Sequence, residues 1–152
     1  MPDILHRVGI AAKPERVLES LTTLEGLRGW WVSDTKGDPK KGGTIDFGFC
    51  RMQVLEATPE KVHWRCVSGP PEWVGTEVTF ALKWKDGKTH RDGTPYDHQT
   101  FILFSHSGWK EPVEFMHHCS TKWATFLLSL KDQIERSDGH PAPRDVKIHV
   151  GD

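Results

Sequence analysis

The sequence contains one tyrosine, three cysteines, no dominant sign of charge and no long apolar run. Each scarcity excludes something. A membrane-spanning helix needs roughly 18 or more consecutive apolar residues, and no stretch approaches that length. Cys50, Cys66 and Cys119 are odd in number and far apart, unlike the dense, even set of a small disulfide-stapled secreted domain. The opening MPDILHRVGI lacks the uninterrupted apolar core of a secretory leader, so a cytoplasmic protein with reduced thiols is expected. The 20 basic and 21 acidic residues are interspersed and leave a net charge of −1, without the one-sided basic face of a phosphate-backbone binder. Lys36, Lys40 and Lys41 cluster, but Asp34 and Asp38 lie among them, as in a solvated loop. No nucleic-acid partner is expected.

What is abundant is ring surface. Seven tryptophans and seven phenylalanines must be housed by 152 residues, a length that favours one domain. A domain of this size buries about 68–70% of its unfolded surface, enough for a substantial core. Apolar residues at 36% and charged residues at 27% fit a folded globular chain.

Local periodicity orders the elements. Residues 4–12 alternate loosely and suit a strand. PERVLESLTT opens a helix on Pro14, with Glu15 in its first turn, and LEGLRGWW reads as a second short helix. From Thr44 to His106 the period is two. Ile45, Phe47 and Phe49 share one face, as do Val62, Trp64 and Cys66. In EVTFALKWK, the residues Val78, Phe80, Leu82 and Trp84 are expected to face inward. HQTFILFSH is the last strand, apolar on both faces over residues 101–104. Val113, Met116, Cys119, Trp123, Phe126, Leu127, Leu130 and Ile134 then mark one face of a long helix, closed by Gly139 and Pro141. Successive strands joined by short turns favour an antiparallel meander covered by that helix. The domain is placed at residues 1–138, with a polar, loosely held tail at 139–152.

Taken together, IAAKPERVLESLTTLEGLRGWW, VHWRCVSGPPEWVGTEVTFAL, FSHSGW and CSTKWATFLLSLKDQIE followed by GHPAP resemble the SRPBCC, or START-like, superfamily. Within it, they resemble the family named after the activator of heat-shock-protein-90 ATPase. The resemblance spans nearly the whole chain. It implies an α+β helix-grip fold: a curved antiparallel sheet wrapped around a long C-terminal helix, two short helices after the first strand, and a cavity between sheet and helix. It leaves the activity open, because this fold hosts carriers, receptors, cyclases and co-chaperone domains.

Against that frame the chemistry-bearing residues are few. FMHHCSTKW invites a metal reading, but neighbours on a helix point about 100° apart, so His117, His118 and Cys119 cannot converge on one ion. No metal or cofactor is expected. The expected cavity lining is Trp30, Phe47, Trp64, Phe80, Trp84, Ile102, Phe104, His106, Met116, Trp123, Phe126, Leu127 and Leu130. The same side chains could instead interlock into a dense core. His106 falls in phase with Ile102 and Phe104, either orienting a ligand and moving protons or serving as a structural histidine. Trp30 and Trp31 divide between core and cavity rim, and Trp73 and Trp109 sit in loops. No nucleophile elbow, phosphate loop or dinucleotide fingerprint occurs. The expected function is binding of a small hydrophobic molecule, lipid-like or polyketide-like. A cyclase- or dehydrase-type enzyme and a co-chaperone-like module are the alternatives. Phe101 and Leu103, facing away from the helix, suggest a second copy of the chain as a partner.

Overall fold

The structure, a computed structural model, describes residues 2–152. Strand β1 (Ile4–Ile10) leads into helices α1 (Pro14–Thr22) and α2 (Leu24–Trp30). Then come β2 (Lys36–Gly37), β3 (Thr44–Asp46), β4 (Arg51–Ala57), β5 (Lys61–Ser68) and β6 (Glu77–Lys85). A small hairpin, β7 (Lys88–Thr89) and β8 (Pro95–Tyr96), precedes β9 (Gln99–Ser107) and the long helix α3 (Glu114–Arg136). The main sheet has the order β1-β9-β6-β5-β4-β3-β2, antiparallel throughout. β7 and β8 form a separate ribbon. This is the antiparallel meander with a long covering helix expected from the alternation, in the α+β helix-grip arrangement that the family resemblance implies.

Local chemistry explains the boundaries. Pro14 starts α1, where a missing N–H costs nothing, and Glu15 complements the helix dipole. Thr23 caps α2 by accepting from the Gly26 N–H at 3.0 Å. Register shifts between Arg51 and Met52 and between Val54 and Glu56 bend the β4–β5 pair, as bulges do. On β9 the alternation is clean. Thr100, Ile102, Phe104 and His106 are buried under α3, while Leu103 is 38% exposed on the outer face. α3 buries Cys119, Trp123, Phe126, Leu127, Ser129 and Leu130, close to the stripe read from the sequence.

Three expectations need correction. The strand expected through Phe49 ends at Asp46; Phe47 donates its N–H to Cys50 O at 2.9 Å, and Gly48, at φ 86°, supplies a turn conformation that other residues resist. Phe49 is consequently 49% exposed. Trp84 does not face the interior: it is 38% exposed and stacks on His98 at 5.4 Å. β5 pairs with β6 only as far as Lys61 opposite Ala81, so the end of β6 runs past its neighbour.

The third correction is the tail, which is not loose. α3 stops at Ser137, whose left-handed backbone (φ 55°) turns its N–H back to Asp132 O and Gln133 O. Gly139 lies against α2, where a Cβ would stand 2.0 Å from Gly29 O. Ala142 donates to Trp31 O at 2.7 Å and accepts from Ser33 N at 3.1 Å. Ser129 Oγ donates to Trp30 O at 2.8 Å and accepts from His140 N at 2.6 Å, joining helix, α2 and tail.

Candidate functional site

The aromatic residues occupy the helix–sheet space unevenly. Trp30, Trp64, Phe80, Ile102, Phe104, Leu127 and Leu130 are buried to 2% exposure or less in the core. Their rings interlock edge to face: Trp64 with Phe80 at 5.0 Å, Phe80 with Phe104 at 5.4 Å, Trp30 with Phe80 at 6.2 Å. Towards the first turns of α3 this packing opens into a cavity of about 430 Å³. Its walls are Trp31, Phe47, Trp73, Cys119, Trp123 and Phe126, with Phe49 and Phe115 at the margin. The tail closes one side with Ala142, Pro143, Asp145, Lys147 and Asp152, Val32 joins them from the segment after α2, and α3 adds His118 and Lys122.

Phe47, Trp123 and Phe126, expected from the sequence, line this cavity, and the seven core residues lie behind it. Met116 is half-buried on α3 outside the lining, and Trp84 lies at the far end of the sheet. Of the adjacent pair, Trp31 is the cavity wall. Trp30 points into the core, where its indole N–H donates to Ser20 O at 2.9 Å. Trp31 packs against Phe47 at 4.1 Å and Trp123 at 4.8 Å, and stacks on Trp64 at 5.9 Å. Sequence reasoning overlooked the tail contribution, because a polar segment carries no apolar period.

His106 is fully buried behind Trp123 and has both nitrogens engaged. The Trp123 indole donates to Nδ1 at 3.1 Å, which assigns the ring proton to Nε2. Nε2 then donates to Thr76 Oγ1 at 2.8 Å, and that hydroxyl donates to Trp73 O at 2.5 Å. Burial pushes the His106 pKa down to about 3, so the ring is neutral at physiological pH. This chain ties together two cavity walls, Trp73 and Trp123. It leaves His106 no free nitrogen for proton transfer.

The thiols are equally quiet. Cys50, Cys66 and Cys119 are all buried, and burial raises the pKa of each, Cys119 to about 11. A protonated thiol is a poor nucleophile. Cys119 accepts from the Trp73 indole at 3.3 Å.

Charge gathers only at the mouth. Lys122 reaches Asp145, Asp152 Oδ2 (3.0 Å) and Val146 O (3.0 Å), and Lys147 reaches Asp145 Oδ1 at 2.9 Å. Burial acts to lower the Lys122 pKa, but its bonds to the two carboxylates outweigh that and raise it. Burial acts to raise the pKa of Asp145, and the bonds from Lys122 and Lys147 reverse the direction. The Ile148 N–H and Lys122 bring Asp152 down to about 2. The mouth is therefore zwitterionic above an apolar interior.

No protein-family model matches the chain, and no curated protein does. Solved structures do. The chain is 40% identical to Aha1 from Colwellia psychrerythraea, described as a dimer in solution. That match covers 91% of this chain and 100% of that one at a TM-score of 0.74. CalU16 from Micromonospora echinospora is 20% identical over 93% of this chain and 77% of its own, with a TM-score of 0.68. A Staphylococcus saprophyticus protein is 16% identical over 93% and 98%, with a TM-score of 0.66. The latter two share the fold.

Proposed function

Because the chain belongs to the Aha1-like SRPBCC family, we propose that it binds a small hydrophobic molecule in the cavity between Trp31, Trp73 and Trp123. The observation that carries this reading is a ring-lined space of about 430 Å³ that the surrounding core leaves unfilled. It falls within the roughly 300–1,000 Å³ of small-molecule sites, which are mostly apolar with a few polar groups. A guest with a flat or lipid-like body would lie against the indoles, its polar end among Lys122, Asp145 and Lys147. Each 100 Å² of apolar surface removed from water contributes about 2.5 kcal/mol.

The engagement of His106 supports binding over catalysis, since the residue that a cyclase or dehydrase would have used is neutral and bonded at both nitrogens. Thermal melting with fatty acids, sterols and aromatic polyketides tests the reading. A ligand at 100 times its Kd would stabilise the protein by about 2.7 kcal/mol. If no class raises the melting temperature or alters tryptophan emission, the reading is lost.

A second observation favours self-association. Leu5 (70% exposed) and Leu103 (38% exposed) share the outer face of the β1–β9 pair, and β1 is an edge strand. Arg7 lies over the Phe101 ring beside them, 4.3 Å from its centroid. This is the face on which a second copy would dock. Light scattering should give twice the chain mass, returning to one in Leu5→Asp/Leu103→Asp. A monomer at all concentrations removes this reading and leaves the cavity untouched.

A further inference from the structure

We propose that His118, His149 and Asp152 form a binding site for a divalent transition-metal ion, Zn²⁺ by preference, at the cavity mouth. One side chain comes from α3 and two from the tail, and their candidate ligand atoms all lie within 4.8 Å of one another. It is the one such group of three among the described residues. The spacing of 31 residues between the histidines explains why no motif announced it. Convergence depends on the Lys122 contacts to Asp145 and Asp152, which draw the tail over the helix.

The donors suit the ion. Two imidazoles and one carboxylate are the nitrogen-and-oxygen set that zinc accepts when three protein ligands leave a fourth position for water or substrate. Each donor is also prepared. The His149 Nδ1 lies 2.8 Å from Val150 O, so its N–H is spent on that carbonyl and Nε2 is left to ligate. Asp152 takes both of its bonds, from Ile148 N at 2.9 Å and from Lys122 at 3.0 Å, on Oδ2, leaving Oδ1 available. His118 stacks on Phe115, centroids 5.8 Å apart and planes within 11°, which fixes its ring plane. The His118 and His149 ring centroids lie 5.4 Å apart, with the planes tilted by 52°.

Tetrahedral bonds of about 2.05 Å put ligand atoms about 3.3 Å apart, so the group must contract slightly on binding. The exposed His149 can supply that movement by side-chain rotation. Lys122 adds a positive charge nearby, but its contact with Asp145 offsets it. His118 and Asp152 both border the cavity, which brings the fourth position next to a guest's polar end. A carboxylate or hydroxyl on the guest is the group it would take. The metal site stands without the guest, since zinc is read on the empty protein.

Calorimetry with ZnCl₂ on tag-free protein, in a non-chelating buffer at pH 7.5, tests the site. One ion per chain is expected at micromolar affinity, weakened at least tenfold in His118→Ala and in His149→Ala. His117→Ala, altering an exposed neighbour, is expected to bind as the parent does. His149 is itself exposed, so its variant should fold, and melting curves without metal verify that. No heat and no melting shift at tenfold excess zinc would overturn the proposal, as would binding that survives both variants. Equal stabilisation by Mg²⁺, which prefers oxygen ligands, would also overturn it. Screens for apolar guests run with chelator present keep the two proposals separable.

Discussion

The Trp123 indole N–H donates to Nδ1 of His106 at 3.1 Å, and this one bond determines the protonation of a histidine with no exposure to solvent. It makes the family's long helix and the end of β9 a single polar unit inside an apolar core. Truncating either partner strands a buried group, at a cost of about 1–3 kcal/mol.

The bond implies a pH signature. Folded His106 titrates near 3, against an ordinary value of 6.5. Between those values the unfolded chain binds a proton that the folded chain refuses. Stability is therefore full above about pH 6.5 and declines as pH falls, by up to about 1.4 kcal/mol per unit from this residue. The depressed carboxylates Asp145, Asp152 and Glu135 act in the same direction but only in the range where carboxylates titrate, below about pH 5. Urea melts at pH 5.0 to 7.5 should show the slope. His106→Leu should lose about 2–3 kcal/mol at pH 7.5 and flatten the slope; an unchanged slope would refute the assignment.

Phe49 should affect affinity more than stability. Its ring is 49% exposed and touches Trp31 at 5.9 Å and Trp73 at 5.5 Å edge-on. Phe49→Ala is expected to cost under about 1 kcal/mol in denaturant melts, because little buried surface is lost. A bound apolar fluorophore, by contrast, should dissociate several-fold faster.

Lys122 anchors the tail, so Lys122→Ala should expose it. Asp145 is 9% exposed and would lose one of its two cations. Hydrogen exchange in residues 145–152 should accelerate at least tenfold, while β6 and β9 stay protected. Uniform protection would mean that the Ala142 contacts suffice on their own.

Gly139 leaves no space for a methyl group. A Cβ there would stand 2.0 Å from Gly29 O, a backbone atom that moves only with α2. Gly139→Ala should lower stability by about 1–3 kcal/mol, the usual cost of overpacking. Thermal melting of the parent and the variant side by side would check this, an unchanged melting temperature counting against it.

Much of this architecture was legible because it is local. The alternation of Val78, Phe80 and Leu82 and the stripe from Cys119 to Leu130 each follow from one period. Trp84 obeyed the same alternation yet emerged half-covered, since burial there depends on where β5 begins. Phe49 escaped the reading because a glycine turn at Gly48 ended the strand two residues earlier. The tail was the largest omission. It is held by Ala142 on Trp31 and by Asp145 and Asp152 on Lys122, contacts between residues 23 to 111 positions apart. No window of composition can register them. Locating the cavity beneath the tail required those pairings.

The crowding of indoles around Trp31 has a spectroscopic consequence. Trp30, Trp64 and Trp123 all lie within 6 Å of it, centre to centre, and Trp73 is 6.0 Å from Trp123. Excitation absorbed by any of the five migrates among them before it is emitted. An occupant that quenches one wall therefore darkens the whole set, and the protein carries its own gauge of whether the chamber is full.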